Sequence, residues 1–253
     1  MGGIQRGLLV LVPSESKRLI GRAVARMPEV QAALTGGRIV IGNGTTNAYV
    51  AEELLGTSVP KWRYAAGVIA DSKLAVTHGA TRLPPYALKH GKPFEAGWVE
   101  LLKEFGRGDV FLKGGNAVDP EGNVGVLLAS DVGGTVGQML GIVAARGAHL
   151  IVPIGLEKLV PDVVEAARHC GIARTDLSDG LPVGMAVLTG AQVVTEIEAL
   201  EILLGLDAWH IASGGVGGSE GAVTIAVEGT QQAVRAAMEL AVSLGGEPPV
   251  VPD

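Results

Sequence analysis

The 253-residue chain has one cysteine, Cys170, and few aromatic residues, at 4%. A lone cysteine excludes an internal disulfide and any zinc cluster built from cysteines. In an apparent helix over 162–170 it reads as ordinary packing rather than as a nucleophile. No excess of base is present: 20 Lys and Arg face 26 Asp and Glu, a net charge of −6. Without a basic stripe, nucleic acid is not an expected partner. No stretch reaches about 18 uninterrupted apolar residues, the length a membrane helix needs. The opening MGGIQRGLLVLVPSESK is broken by Pro13 and offers no plausible signal cleavage site. A cytoplasmic protein with no membrane partner is the expectation. The five histidines, at 78, 90, 149, 169 and 210, lack metal-ligand spacing, so neither a metal nor a cofactor is expected. No Ser–His–Asp set is visible.

What the chain does have is glycine, 38 residues of it, and apolar residues at 47%, mostly Val, Ala, Leu and Ile. The first marks tight turns and close backbone approach, the second parallel strands buried on both faces. Strand-like runs at 7–12, 38–42, 109–112, 125–130 and 149–153 alternate with helical patterns at 14–27, 47–55, 98–105 and 134–146. That alternation predicts an α/β fold with a mainly parallel Rossmann-like sheet flanked by helices. A short strand pair is expected around Ser72-Lys73. The proline-bearing stretch 81–97 reads as a lid. After Gly180 the order becomes βαββα, the split pattern of a ferredoxin-like α+β unit. Two domains follow: residues 1–180 form the Rossmann-like part, and 181–253 a ferredoxin-like lid or oligomer contact.

Three Gly-rich corners carry the candidate chemistry. Gly42-Asn43-Gly44-Thr45-Thr46-Asn47 joins a strand to a helix, whose unsatisfied amides and positive dipole end favour an anion such as phosphate or carboxylate. The same loop also reads as an ordinary turn in which Thr45 or Thr46 caps the helix. Lys113-Gly114-Gly115-Asn116 follows a strand and so sits at its carboxyl end, where ligands bind in open α/β sheets. Lys113 can neutralise an anion and Asn116 can orient a hydroxyl or carbonyl; 120–122 reads as a turn. Asp131-Val132-Gly133-Gly134-Thr135 is a third strand–loop–helix corner. Asp131 is the leading base there if the apolar strand desolvates it, or else a helix cap. Lys158 either faces the same crevice or is a solvated surface lysine, and His78 is held open as an acid or base.

The order of these corners resembles ribose-5-phosphate isomerase of the A type, within the superfamily of glucosamine-6-phosphate deaminases and CoA transferases. Residues 42–47 are similar to that family's Gly-Thr-Gly-Ser-Thr phosphate loop, and 114–120 to its Gly-Ala-Asp-Glu-Val-Asp-Pro. Gly133-Gly134, Ile142-Val-Ala144 and Glu157-Lys-Leu-Val160 match later motifs. Lys158-Leu-Val-Pro-Asp162 and Asn116-Ala also resemble lactate-utilisation-type domains. The resemblance implies a phosphate seat at the first corner, but the acidic positions of the family's Asp-Gly-Ala-Asp are Lys113 and Asn116 here. The family's lysine before the Gly-rich turn falls near Val132, and its catalytic Glu at Leu140. The expectation is therefore a small-metabolite protein, an isomerase-like or transferase-like enzyme if active, with a homo-oligomeric state and without ribose-5-phosphate isomerase activity. Two other readings stand beside it. One is a ligand-binding sensor; the other is CoA-thioester chemistry through Glu157 or Glu220.

Overall fold

The computed structural model describes residues 3–252 and is a mixed α/β protein with several sheets. At its centre lie β2 (Arg38–Ile41), β7 (Val110–Leu112), β10 (His149–Pro153) and β12 (Gln192–Val194), paired in parallel in that order. Each strand is short and apolar, and alternate residues leave opposite faces. Ile39, Ile41, Val110, Leu112 and Ile151 join a core cluster with Leu19, Ile20, Ala48 and Leu200. These last come from α1 (Pro13–Arg26), α3 (Thr45–Leu55) and α8 (Glu196–Leu204). Val40 and Phe111 point the other way, into a cluster with Leu101, Leu102, Met139 and Val143 from α5 (Trp98–Lys103) and α6 (Gly134–Arg146). Helices thus cover both faces, as burial of a parallel sheet requires.

Antiparallel additions complete the sheet at the β2 side. β5 (Tyr86–Lys89) pairs with β2, and the two-residue β6 (Lys92–Pro93) pairs with β5. The stretch 81–97 is therefore largely an edge of the main sheet and not a lid. Its alternation is too short to be read as strand from sequence. Ala87 and Leu88 are buried on opposite faces, and Tyr64 fixes the entry: its hydroxyl donates to the Ile41 carbonyl at 2.5 Å and accepts from the Tyr86 amide at 3.1 Å.

The C-terminal segment does not close a sheet of its own. β11 (Gly184–Leu188) pairs with β9 (Val124–Leu128), which pairs with β8 (Ala117–Val118). β12 extends the main sheet, while β13 (Asp207–Gly214) and β14 (Ala222–Gly229) form a third sheet with the N-terminal β1 (Gln5–Leu11). Strands beyond residue 181 thus pair with strands before 180 in three separate sheets, and the expected ferredoxin-like unit is not formed as one sheet. The helical pattern 231–244 is present as α9 (Gln231–Leu244), packed on β1 and β14. One face of the β1–β14–β13 sheet feeds Leu9, Leu11, Ile225 and Val227 into the core; the other leaves Leu8, Val10, Trp209 and Ile211 at least half exposed.

A hairpin of β3 (Gly67–Ala70) and β4 (Lys73–Val76) turns through Asp71 and Ser72, both at positive φ (50° and 59°), the two-residue turn matched to strand twist. The Leu74 amide donates to the Asp179 carbonyl at 2.9 Å, and the Leu181 amide donates to Leu74 at 2.8 Å. At Gly180, φ is +99° and a Cβ would stand 2.1 Å from the Leu74 carbonyl oxygen, so this tie needs glycine. The changed Tyr64→Phe protein, which leaves the Ile41 carbonyl and Tyr86 amide buried without their partner, is expected to unfold with about 1–3 kcal/mol less free energy. Urea titration checks it, and an unchanged midpoint would deny the hydroxyl its role at this sheet edge.

Candidate functional site

The loops that leave β2, β7, β9 and β10 at their carboxyl ends enclose a cleft of about 530 Å³, roofed by the β3–β4 hairpin together with Leu181 and Val183. Asn43, Gly44, Thr45 and Thr46 line it from the first corner, Lys113 to Asn116 from the second, and Gly133, Gly134 and Thr135 from the third. Lys158, from a 3-10 turn at Leu156–Lys158, and Arg82 complete its polar wall. The sequence corners thus meet at one place, with the exceptions of Gly42, Asn47 and Asp131.

Two helices aim their N-termini at this space without side-chain caps. Gly44 precedes α3 and Gly133 precedes α6, and neither position supplies a capping oxygen. The threonines do not cap α3, contrary to the simpler reading of that loop. Thr46 is 2% exposed and its Oγ1 has no partner among the described residues. Amides left open at a helix start favour a negative ligand.

Among the described residues, three cations and no carboxylate line the cleft. Arg82 is committed to Thr77, donating from Nε to the hydroxyl at 2.8 Å and from Nη2 to the carbonyl oxygen. The lysines have only neutral partners. Lys113 Nζ donates to the Gly114 carbonyl at 2.9 Å, and Lys158 Nζ to the Gly115 carbonyl at 3.0 Å. Neither forms an ion pair among the described residues. Their two ammonium groups rest on consecutive carbonyls. Desolvation, and secondarily the charge of Lys158, brings Lys113 down to about 8. Burial, joined by the charge of Lys17, also lowers Lys158 against the pull of Glu157 and Glu196 behind it.

Gly115 makes the close approach possible. A Cβ there would stand 2.3 Å from Val124 Cγ1 and 2.8 Å from Ile154 Cδ1. Asn116 is held by its Oδ1, which accepts from the Leu127 amide at 3.0 Å, and its side-chain NH2 group has no partner among the described residues. It thus presents donors along the cleft wall.

Several expected site residues serve the scaffold instead. Asn47 is fully buried, and its Nδ2 donates to the carbonyls of Gly42 at 2.8 Å and Leu112 at 3.2 Å, tying the loop to β7. The Gly42 amide makes a matching bond to Leu112 at 2.8 Å. Asn43 lines the cleft, but its Nδ2 donates to Tyr64 and Leu83 carbonyls at 3.1 and 2.9 Å. Asp131 is corrected most clearly. The Gly133 amide donates to the Ser130 carbonyl, closing a turn whose outer residues 131 and 132 are exposed. Asp131 is thus exposed and is not enclosed between the apolar strand and the Gly-rich loop. His78 is exposed outside the cleft lining, Glu220 lies in the exposed β13–β14 turn, and Glu157 is enclosed beside Lys17 at 3.2 Å.

Sequence reasoning missed a buried layer beneath Lys158. Glu196, the first residue of α8, is wholly buried, and its Oε2 accepts from the Leu156 amide at 2.9 Å. Burial, then the charge of Glu157, lifts its carboxyl to about 7. A capping Thr195 before Glu196 and Glu198 reads as an ordinary helix start, so nothing local betrays the pair.

No family model, no curated protein and no solved structure matches the chain.

The division between ligand-facing and scaffold residues can be tested at Asn47. Asn47→Ala is expected to lower unfolding free energy by about 1–3 kcal/mol while leaving the affinity for sulfate at the cleft within twofold. Calorimetric titration against the folded variant reads both; lost affinity at unchanged stability would return Asn47 to the binding set.

Proposed function

We propose that the chain binds a small anionic metabolite, phosphorylated or carboxylated, in the cleft where α3 and α6 begin, and that it acts on this ligand as an enzyme. The observation that carries this reading is the cleft's unbalanced charge: Arg82, Lys113 and Lys158 line it and, among the described residues, no acid does. The protein as a whole is acidic. Desolvated cations without counter-charge are costly, and a bound anion relieves that cost. Thr45, Thr46 and the open amides seat the anion; Lys113, Lys158 and Asn116 face the rest of the ligand.

This agrees with the resemblance to the sugar-phosphate isomerase and CoA transferase superfamily, with its Rossmann-like sheet and phosphate loop, but not with ribose-5-phosphate isomerase chemistry. An aldose–ketose shift needs a base within hydrogen-bond reach of the carbon acid, and the cleft offers no carboxylate among the described residues. Purified protein in a coupled ribose 5-phosphate assay is expected to show no turnover above background. Robust turnover that survives Asp131→Asn would mean that a group lining the cleft is the base, and turnover abolished by it would make Asp131 the base from outside that lining. A second copy of this chain is the proposed cover for the apolar face of Leu8, Val10, Trp209 and Ile211, and a strict monomer in sedimentation would remove it.

Sulfate, whose charge is constant near neutrality, tests the anion seat. Lys158→Met is expected to weaken sulfate binding roughly 10- to 100-fold, the effect of losing one charge-assisted bond. Thr45→Val with Thr46→Val should weaken it less and leave the fold intact. The sign of the pH dependence follows from Lys113. A bound dianion favours its charged form, so binding takes up a proton above about pH 8. Affinity is therefore expected to fall from pH 7 to 9, and Lys113→Arg should flatten that fall. A pH-independent affinity in the parent would place the anion away from Lys113.

A further inference from the structure

The two lysines differ in what surrounds them, and that difference assigns them different work. Lys113 lies at the end of β7, lines the cleft, and has one neutral carbonyl as its partner. The facing groups are Lys158 from the turn after β10 and Arg82 from the segment before β5, both cationic. Lys158 has Glu157 and Glu196 behind it, with Lys17 of α1 against Glu157. A charge on Lys113 meets desolvation and neighbouring cations with no carboxylate to offset them among the described residues, while a charge on Lys158, also disfavoured by burial and by Lys17, is partly offset by Glu157 and Glu196 below it.

We propose that Lys113 is a nucleophilic lysine that forms a Schiff base with a carbonyl compound carrying a phosphate or carboxylate group, with Lys158 as the acid that assists loss of water. This rests on the anion seat proposed above, which would fix the ligand while its carbonyl lies against Lys113. Desolvation and an adjacent cation are the two conditions that free a lysine amine for such attack, and both meet at Lys113. The neutral Nζ attacks the carbonyl carbon, forming the C–N bond as the C=O π pair moves to oxygen. Proton transfer from nitrogen to oxygen gives a carbinolamine. The Lys158 ammonium then protonates the hydroxyl, which leaves as water while the nitrogen lone pair makes the C=N bond. The sum is amine, carbonyl and one proton in, protonated imine and water out. The side-chain NH2 of Asn116 can donate to the carbonyl oxygen as charge gathers on it.

The reagent that tests this is pyridoxal 5′-phosphate, an aldehyde bearing a phosphate, followed by borohydride reduction, proteolysis and mass spectrometry of the full-length protein. The expected result is one adduct, on Lys113, formed at least about tenfold faster than on any exposed lysine, because each unit of lowered lysine pKa raises the neutral fraction tenfold. Its rate should rise with pH to a midpoint near 8. Sulfate should slow it. Lys113→Arg, whose guanidinium forms no such imine, should lose the adduct while keeping the parent's circular dichroism and urea midpoint, which shows that the variant is folded. Labelling spread evenly over surface lysines, or an adduct at Lys158 undiminished in Lys113→Arg, overturns the assignment. Pyridoxal without its phosphate separates the two readings. Slower labelling than with the phosphate ester supports both. Equal labelling at Lys113 keeps the nucleophile and removes the anion seat. Sulfate binding with no preference for Lys113 keeps the seat and removes the nucleophile.

Discussion

Two lysine ammonium groups set on the consecutive carbonyls of Gly114 and Gly115, with no ion-pair partner among the described residues, are the constraint around which the rest of this cleft is arranged. Placing cations out of water costs several kcal/mol each unless opposite charge or good dipoles compensate. Here the compensation is indirect. Carbonyl dipoles hold both ammonium groups, and carboxylates help only Lys158, from behind, through Glu157 and Glu196. The uncapped starts of α3 and α6 add positive partial charge to the same space. The charged side chains lining the cleft are all cationic among the described residues, and the natural partner of such a space is an anion.

The scaffold that holds this arrangement is spent on backbone precision. Gly115 has no room for a side chain against Val124 and Ile154, so the Lys113–Asn116 loop can run flush over β9. Asn47 and the Gly42 amide both bond to Leu112, which locks the first corner to the second. Tyr64 joins the end of β2 to the start of β5. The roof is tied less firmly: the β3–β4 hairpin leans on Asp179–Leu181 through two backbone bonds, and its turn holds Asp71 and Ser72 in the left-handed region, where non-glycine residues are strained. Rigid walls under a loosely tied roof suit a cleft that must admit and release a ligand.

Much of this was legible in the sequence. A strand followed by glycines and a helix start announces its own geometry, so the three corners, the parallel strands β2, β7 and β10 and most of the helices could be placed from local pattern, whereas the three-residue β12 and the helices over 28–36 and 61–64 could not. What failed was whatever depended on distant partners. β1 and β14 pair across more than two hundred residues of sequence, with Gln5 opposite Gly229. No local pattern distinguishes that from the self-contained βαββα that was expected. The segment 81–97 looked irregular because its strand is only Tyr86–Lys89 and rests on β2. Asn47 and Asp131 failed for a different reason. Their residue types suit ligand contact, but one is turned inward by the fold and the other outward. The converse holds for Lys113. Its use as a base or nucleophile required burial or a neighbouring cation, and the cation, Lys158, lies far along the chain on another strand's end.

The central claim is that an anion occupies the space between the starts of α3 and α6, beside Lys113 and Lys158. Anomalous diffraction from crystals soaked in selenate tests it directly, because selenium marks the anion by element. The account predicts one strong peak within hydrogen-bond reach of the Thr45 and Thr46 amides and of at least one of the two lysines, weakened when inorganic phosphate competes. A cleft without a peak, in crystals where selenate is bound elsewhere on the molecule, would contradict it.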